Sequence, residues 1–123
     1  MYKIKKKMEI SGAHHLTLDY PSKCTRIHGH NWKVTVYCAS NVLDSNGMVI
    51  DFTHIKEKIE SKLDHRLIDE VIDKNPTAEN MAKWIHDELQ PTCYKVKVKE
   101  SSGNVAIYEA ELLGHLLSGY KPI

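Results

Sequence analysis

Between His28 and Ser40 the chain keeps a period of two, with Trp32, Val34, Val36 and Cys38 separated by Lys33, Thr35 and Tyr37. Successive strand side chains point to opposite faces, so this run commits the segment to a strand with one face on a core. It is the clearest strand in the protein. His28 and His30 stand two apart at its beginning, so their imidazoles share a face and can reach one ion. Gly29 between them crowds neither.

Other segments fall into place around that strand. Tyr2 to Leu16 alternates more loosely, with Ile4, Met8 and Ile10 on one face, and reads as a first strand. Leu18 to Arg26 holds Asp19, Pro21 and Ser22 and reads as a loop carrying Cys24, while Asn41 to Gly47 is turn-like. After Asp51 the period changes. Phe52, Ile55, Ile59 and Leu63 recur at three and four residues, the spacing of an amphipathic helix. Leu63 to Asn75 is mixed. Asn75-Pro76-Thr77 then starts a second helix through about Leu89, with Thr77 as its N-cap and Ala78, Met81, Ile85 and Leu89 as its buried stripe. Pro91 ends it. Tyr94 to Glu100 alternates strictly, Ser101 to Asn104 is a turn, and Val105 to Tyr108 returns as a partner strand. The order β-β-α-α-β-β predicts an α+β fold with two helices on one face of an antiparallel sheet.

At 123 residues the chain is expected to form a single domain, 1–123, and its 41% apolar content can build a core without disulfides. Seventeen basic against sixteen acidic residues leave a net charge of +1, which argues against nucleic acid or a membrane surface as the main partner. The Lys3-Ile4-Lys5-Lys6-Lys7 cluster reads as the solvated start of a strand. No apolar run approaches the ~20 residues of a membrane span, and no secretory signal is evident, so a cytoplasmic location is expected. Cys24, Cys38 and Cys93 have no paired spacing and are expected as free thiols.

His14 lies near the end of the first strand. Delivered from a strand adjacent to His28 and His30, it completes three nitrogen ligands and leaves a fourth position open, which distinguishes a working zinc from a closed structural one. A lone histidine is more often an ordinary surface or core residue, but a strand-borne His-x-His with a third histidine upstream reverses that expectation. His15 points to the opposite face and is left out of the ligand set. Cys38 and Cys93 sit in strand patterns and read as small buried residues. Asp64 and His65 are adjacent, and neighbours on a regular strand or helix do not face each other, so the pair belongs on a turn.

Several blocks now come together: Gly12-Ala13-His14-His15-Leu16, Cys24-Thr25-Arg26-Ile27-His28-Gly29-His30-Asn31-Trp32, Ile50-Asp51-Phe52, Leu63-Asp64-His65, Asn75-Pro76-Thr77-Ala78-Glu79-Asn80 and Val98-Lys99-Glu100. In this order the chain resembles the 6-pyruvoyltetrahydropterin synthase superfamily, and more narrowly its bacterial queuosine-pathway branch, over residues 2 to 108. Ile10 stands where the family usually has phenylalanine, and Ser101 where threonine is common. The tail 109–123 lies outside the resemblance, with a short helix expected around Leu112 to Leu117.

The resemblance implies a tunnelling fold, in which subunits close into a barrel and two three-subunit rings stack as a homohexamer with active sites at subunit interfaces. It implies Zn2+ held by His14, His28 and His30, with Cys24 free as a catalytic base, because a ligated thiolate closes the metal to substrate. It assigns Asp64 and His65 as a catalytic pair supplied by a neighbouring subunit. Glu100 becomes the pterin anchor, pairing bidentately with a ring N–H and the exocyclic amine. Thr77 is carried over as a ligand contact, and Glu79 as a first-turn acid of structural value. The implied reaction converts 7,8-dihydroneopterin triphosphate to 6-carboxy-5,6,7,8-tetrahydropterin, releasing acetaldehyde and triphosphate, with zinc as Lewis acid on the side-chain oxygens. Three residues separate Cys24 from His28, where enzymes making 6-pyruvoyltetrahydropterin commonly have a longer interval, so the carboxy product is expected. The pyruvoyl product is the alternative. A dihydroneopterin aldolase-like activity ranks lower, since the glutamate that accompanies it near the cysteine is missing from Asp19 to Ile27. A non-catalytic zinc-binding assembly module is the rival from another class.

Overall fold

The computed structural model describes residues 1–110. Two long strands organise it: β1 (Tyr2–His14) and β2 (His28–Ser40) pair antiparallel along their whole length, from Tyr2 opposite Ser40 to His14 opposite His28. β4 (Cys93–Ser101) pairs with β2, and β5 (Asn104–Glu109) with β4. A fifth, two-residue strand, β3 (Arg66–Leu67), runs parallel to β1 beside Gly12 and Ala13, giving the sheet order β3-β1-β2-β4-β5. Four of these strands follow from the sequence pattern. Two residues are too short to display a period of two, so β3 left no trace in the pattern.

Two helices cover one face. The first, α1, is continuous through Phe52–Ile55, Lys56–Glu60 and Ser61–Leu63, its middle section widened to a π-helix, and the Asp51 carboxylate caps it at the Thr53 N–H. The second, α2 (Ala78–Glu88), begins at Thr77, whose hydroxyl accepts from the Asn80 N–H. Ile55, Ile59 and Leu63 from α1 and Met81, Ile85 and Leu89 from α2 and its C-cap pack onto Met8, Ile10, Trp32, Val34, Val36, Val96 and Val98. Even-numbered positions of all three long strands therefore face the helices. The first strand ends at His14 rather than Leu16, the last reaches Glu109 rather than Tyr108, and the helix expected at Leu112 to Leu117 lies outside the described residues. Cys38 and Cys93 are fully buried, as their strand patterns implied. No helix among the described residues is long and apolar enough to cross a membrane.

Gly12 shows how tightly the site end is packed. A Cβ there lies 2.9 Å from Ile68 Cδ1 and 3.4 Å from the Leu63 carbonyl oxygen, and Ile68 is fully buried. Gly12→Ala is expected to cost about 1–3 kcal/mol by overpacking, read as a lower denaturation midpoint with an unchanged denaturant slope.

Candidate metal centre and active site

The even-numbered series that builds the core continues past it. Along β2 it runs Val34, Trp32, His30, His28; along β1 it runs Ile10, Gly12, His14. Antiparallel register sets His14 directly across from His28, so three imidazoles meet at one end of the helix-covered face. Each offers a ligand nitrogen within 4.8 Å of the others, a set that a single metal ion can draw together. Trp32 forms the floor: its indole meets the His14 and His30 rings edge-on at 4.8 and 4.9 Å and donates to the Gly12 carbonyl.

The orientation of the rings is set by backbone carbonyls. His14 Nδ1 lies 2.7 Å from the Pro76 carbonyl oxygen and His28 Nδ1 lies 2.7 Å from that of Arg26. A carbonyl only accepts, so each Nδ1 carries the proton and each Nε2 offers its lone pair, the hydrogen-bond pattern of histidines that ligate metals. His14 is 1% exposed, and its burial pushes the imidazole pKa below the ordinary value and favours the neutral ring that a metal needs. The Nε2 atoms of His14 and His30 are buried with no hydrogen-bond partner. A buried polar atom left unpaired costs roughly 1–3 kcal/mol, so two of them aimed at one point fit a metal ion better than an empty core.

Pro76 is itself held in place. The Asn75 side chain clasps Thr17, accepting from its N–H at 2.9 Å and donating to its carbonyl at 3.0 Å. The Asn75 carbonyl receives the Thr77 N–H and the Asn80 side-chain amide. On the other side Asp69 accepts from the His15 N–H and sits 3.3 Å from that ring. His15 thus stays outside the cluster, as expected, and serves to fasten the strand end.

Cys24 occupies a tight turn, Lys23–Thr25, capped by the Ser22 hydroxyl. Its carbonyl accepts from the Leu16 N–H, two residues beyond His14, and Arg26 just after it holds His28. The turn that carries the half-buried Cys24 is therefore tied to the segments bearing His14 and His28. Glu100 continues the Val96, Val98 series, and a register shift between Lys99 and Ser101 leaves it as an extra residue relative to β5, a bulge that re-aims the chain. Its carboxylate approaches His30 Nε2 at 3.4 Å. Thr77 is engaged as the cap of α2, one residue from Pro76.

Asp64 and His65 are placed differently. They form the turn after α1, with His65 at φ 58°, in the left-handed region. Asp64 accepts from the Ser11 N–H at 2.8 Å and contacts His65 Nδ1 at 3.0 Å, and the His65 N–H donates to the Ser11 carbonyl. The Ser11 hydrogen bond, with His65 adding to it, holds the Asp64 carboxyl below its ordinary pKa, so it remains ionised as the pH falls toward that lowered value. The His65 side chain is 82% exposed. It borders an open groove of about 480 Å³ shared with Ser11, Ala13, Gly29, His30, Asn31 and Arg66.

Trp32, Asn75 and Asp69 were not singled out from sequence as parts of the site. Trp32 had a signal, since it follows His28 and His30 in the same i, i+2 series. Asp69 had none.

A five-stranded sheet with two helices on one face and a three-histidine centre at its end defines the class: a tunnelling-fold protein with a place for a metal. The family model described as 6-pyruvoyl tetrahydropterin synthase matches residues 3–111, and the chain belongs to that family. It is 30% identical to the 6-carboxy-5,6,7,8-tetrahydropterin synthase of Bacillus subtilis, with 87% of this chain and 84% of the relative covered. It is 36% identical to the human 6-pyruvoyl tetrahydrobiopterin synthase, covering 68% and 67%. Among solved structures, the 6-pyruvoyl tetrahydropterin synthase of Caenorhabditis elegans superposes with a TM-score of 0.71 at 25% identity, covering 89% of this chain and 96% of that one.

Proposed function

We propose that this chain is a zinc-dependent lyase that converts 7,8-dihydroneopterin triphosphate and one water to 6-carboxy-5,6,7,8-tetrahydropterin, acetaldehyde and triphosphate, in the pathway to queuosine. The observation that carries the reading is the pair of buried Nε2 atoms on His14 and His30 that lack a hydrogen bond, next to a His28 ring locked in the same tautomer. Zinc, when bound by these three residues, supplies Lewis-acid polarisation of the substrate's side-chain oxygens. Glu100, beside the centre, pairs with the pterin's ring N–H and amino group and fixes where the side chain lies. Cys24 takes a proton from that side chain, and His65, charge-supported by Asp64, returns one.

The pair reaches a neighbour's centre rather than its own. The His65 side chain is 82% exposed and contacts Asp64, while β1 from Tyr2 to Ser11 and the outer side of β5 are sheet edges without a partner among the described residues. Closing subunits into a barrel pairs those edges and brings His65 to an interface, which supports the ring that the proposed homohexamer doubles.

Incubating zinc-loaded protein with dihydroneopterin triphosphate and weighing the products tests the reaction. Carboxypterin with acetaldehyde is the expected result. A pyruvoyl product transfers the chain to the biopterin-type reaction, the second reading, which the 36% identity to the human relative keeps in view. No turnover at any pH with metal loaded overturns both.

A further inference from the structure

The helix-free face of the sheet carries a charge pattern that the site just described does not use. Odd-numbered positions point there, and they include Lys3, Lys5 and Lys7 on β1, Lys33 on β2, and Lys95, Lys97 and Lys99 on β4. Only Glu9 on β1 and Glu109 on β5 oppose them on this face of the four antiparallel strands. In a chain of seventeen basic and sixteen acidic residues, seven lysines against two glutamates on one face is a strong segregation of charge.

Register arranges the lysines as a lattice. One row across the sheet reads Glu9, Lys33, Lys99, Val105; the next reads Lys7, Thr35, Lys97, Ile107; the third reads Lys5, Tyr37, Lys95, Glu109. Lys33 and Lys99 are direct cross-strand partners, and like charges in that relation destabilise a sheet unless an anion lies between them. Among the described residues no carboxylate is within ion-pair distance of Lys5, Lys7, Lys33, Lys97 or Lys99. Lys3 and Lys95 instead lean over Tyr94 and Tyr37.

We propose that this face binds a short linear polyphosphate, with inorganic triphosphate as the simplest member of the class. Neighbouring lattice points lie about 4.8 Å apart across strands and roughly 6.5–7 Å apart along them, so one compact multivalent anion meets several ammonium groups at once. An orthophosphate reaches one or two. Lysine is a strongly hydrated point charge on a flexible stem, suited to phosphoryl oxygens without fixed geometry. The face has no arginine on its three long strands and no run of aromatic side chains for base stacking, which disfavours nucleic acid. If subunits close into a barrel this face lines the interior, where potentials from several copies add. The choice of triphosphate as the natural occupant rests on the proposed reaction, in which it is part of the substrate and then a product; the polyphosphate preference itself does not.

Calorimetric titration of the zinc-loaded chain with sodium triphosphate at low salt tests the surface. Saturable binding is expected, weakening steeply as salt rises, with orthophosphate at least tenfold weaker. Lys33→Gln/Lys97→Gln/Lys99→Gln is expected to lose triphosphate binding at least tenfold while keeping its zinc content and its melting temperature, since all three side chains extend from the open face. Absence of binding, or binding unchanged in the triple variant, overturns the inference. So does a double-stranded DNA oligonucleotide that binds the face more tightly than triphosphate. Turnover measured in parallel separates the two claims. A protein that turns over substrate without holding triphosphate on this face loses only this inference, and one that holds triphosphate without turnover loses only the proposed reaction.

Discussion

Replacing His28 with alanine is expected to leave a folded chain that holds no zinc and turns over substrate at least about a thousandfold more slowly. The magnitude follows from the several kcal/mol that a metal Lewis acid contributes to a charged transition state, each ~1.4 kcal/mol being tenfold in rate. His28 is the informative ligand because it is only partly buried, whereas His14 is 1% exposed and its removal opens a cavity against Trp32. Metal content by atomic emission, a thermal melt and product formation read the three consequences separately. Zinc retained at wild-type stoichiometry refutes the three-histidine centre. Zinc lost together with the fold supports the assembly-module alternative, in which the metal is structural. Zinc lost with the fold kept and the rate unchanged refutes the role given to the metal.

The contrast between the ligands and their supports marks what a sequence can disclose. A period of two is a local property, so His28, His30, Trp32 and the core valines could be placed on one face from the letters alone. His14 could be assigned to the same centre because two adjacent antiparallel strands are the simplest way to bring it there, and the register delivers it opposite His28. The turn at Asp64 and His65 was also legible, since adjacent residues with one task need a break in regular structure. What fixes the geometry was not. The carbonyls of Pro76 and Arg26 choose the tautomers of His14 and His28, and a carbonyl is the same in every residue type. The Asn75 clasp on Thr17 spans 58 positions, and the Ser11 bond to Asp64 spans 53, separations at which no periodicity operates. Likewise β3 exists because the Asp64 turn docks on Ser11 and lays the next two residues beside β1. Local pattern placed the chemistry; tertiary hydrogen bonds oriented it.

Orientation also separates the two halves of the proposed catalytic set, and this leads to the second large effect. Cys24→Ala and His65→Ala are each expected to keep the metal and lose about a hundred- to ten-thousandfold in rate, the range for a positioned acid or base. Co-assembled from unfolded subunits in equal amounts, the two inactive variants are expected to recover activity. A site with both groups intact takes Cys24 from a His65→Ala subunit and His65 from a Cys24→Ala neighbour, which random assembly provides at about a quarter of the sites. If both groups came from one chain, no mixed assembly would contain an intact site and the mixture would stay inactive. Recovery is expected because His65, at 82% exposure and positive φ, sits on a turn held by Ser11 with its ring against Asp64 and outside its own chain's three-histidine cluster. The Cys24 turn, by contrast, is tied by Leu16 and Arg26 to the segments bearing His14 and His28. A mixture no more active than its parents, with mixed assemblies verified by mass, would place the whole set in one subunit and require the turn to swing across the sheet edge.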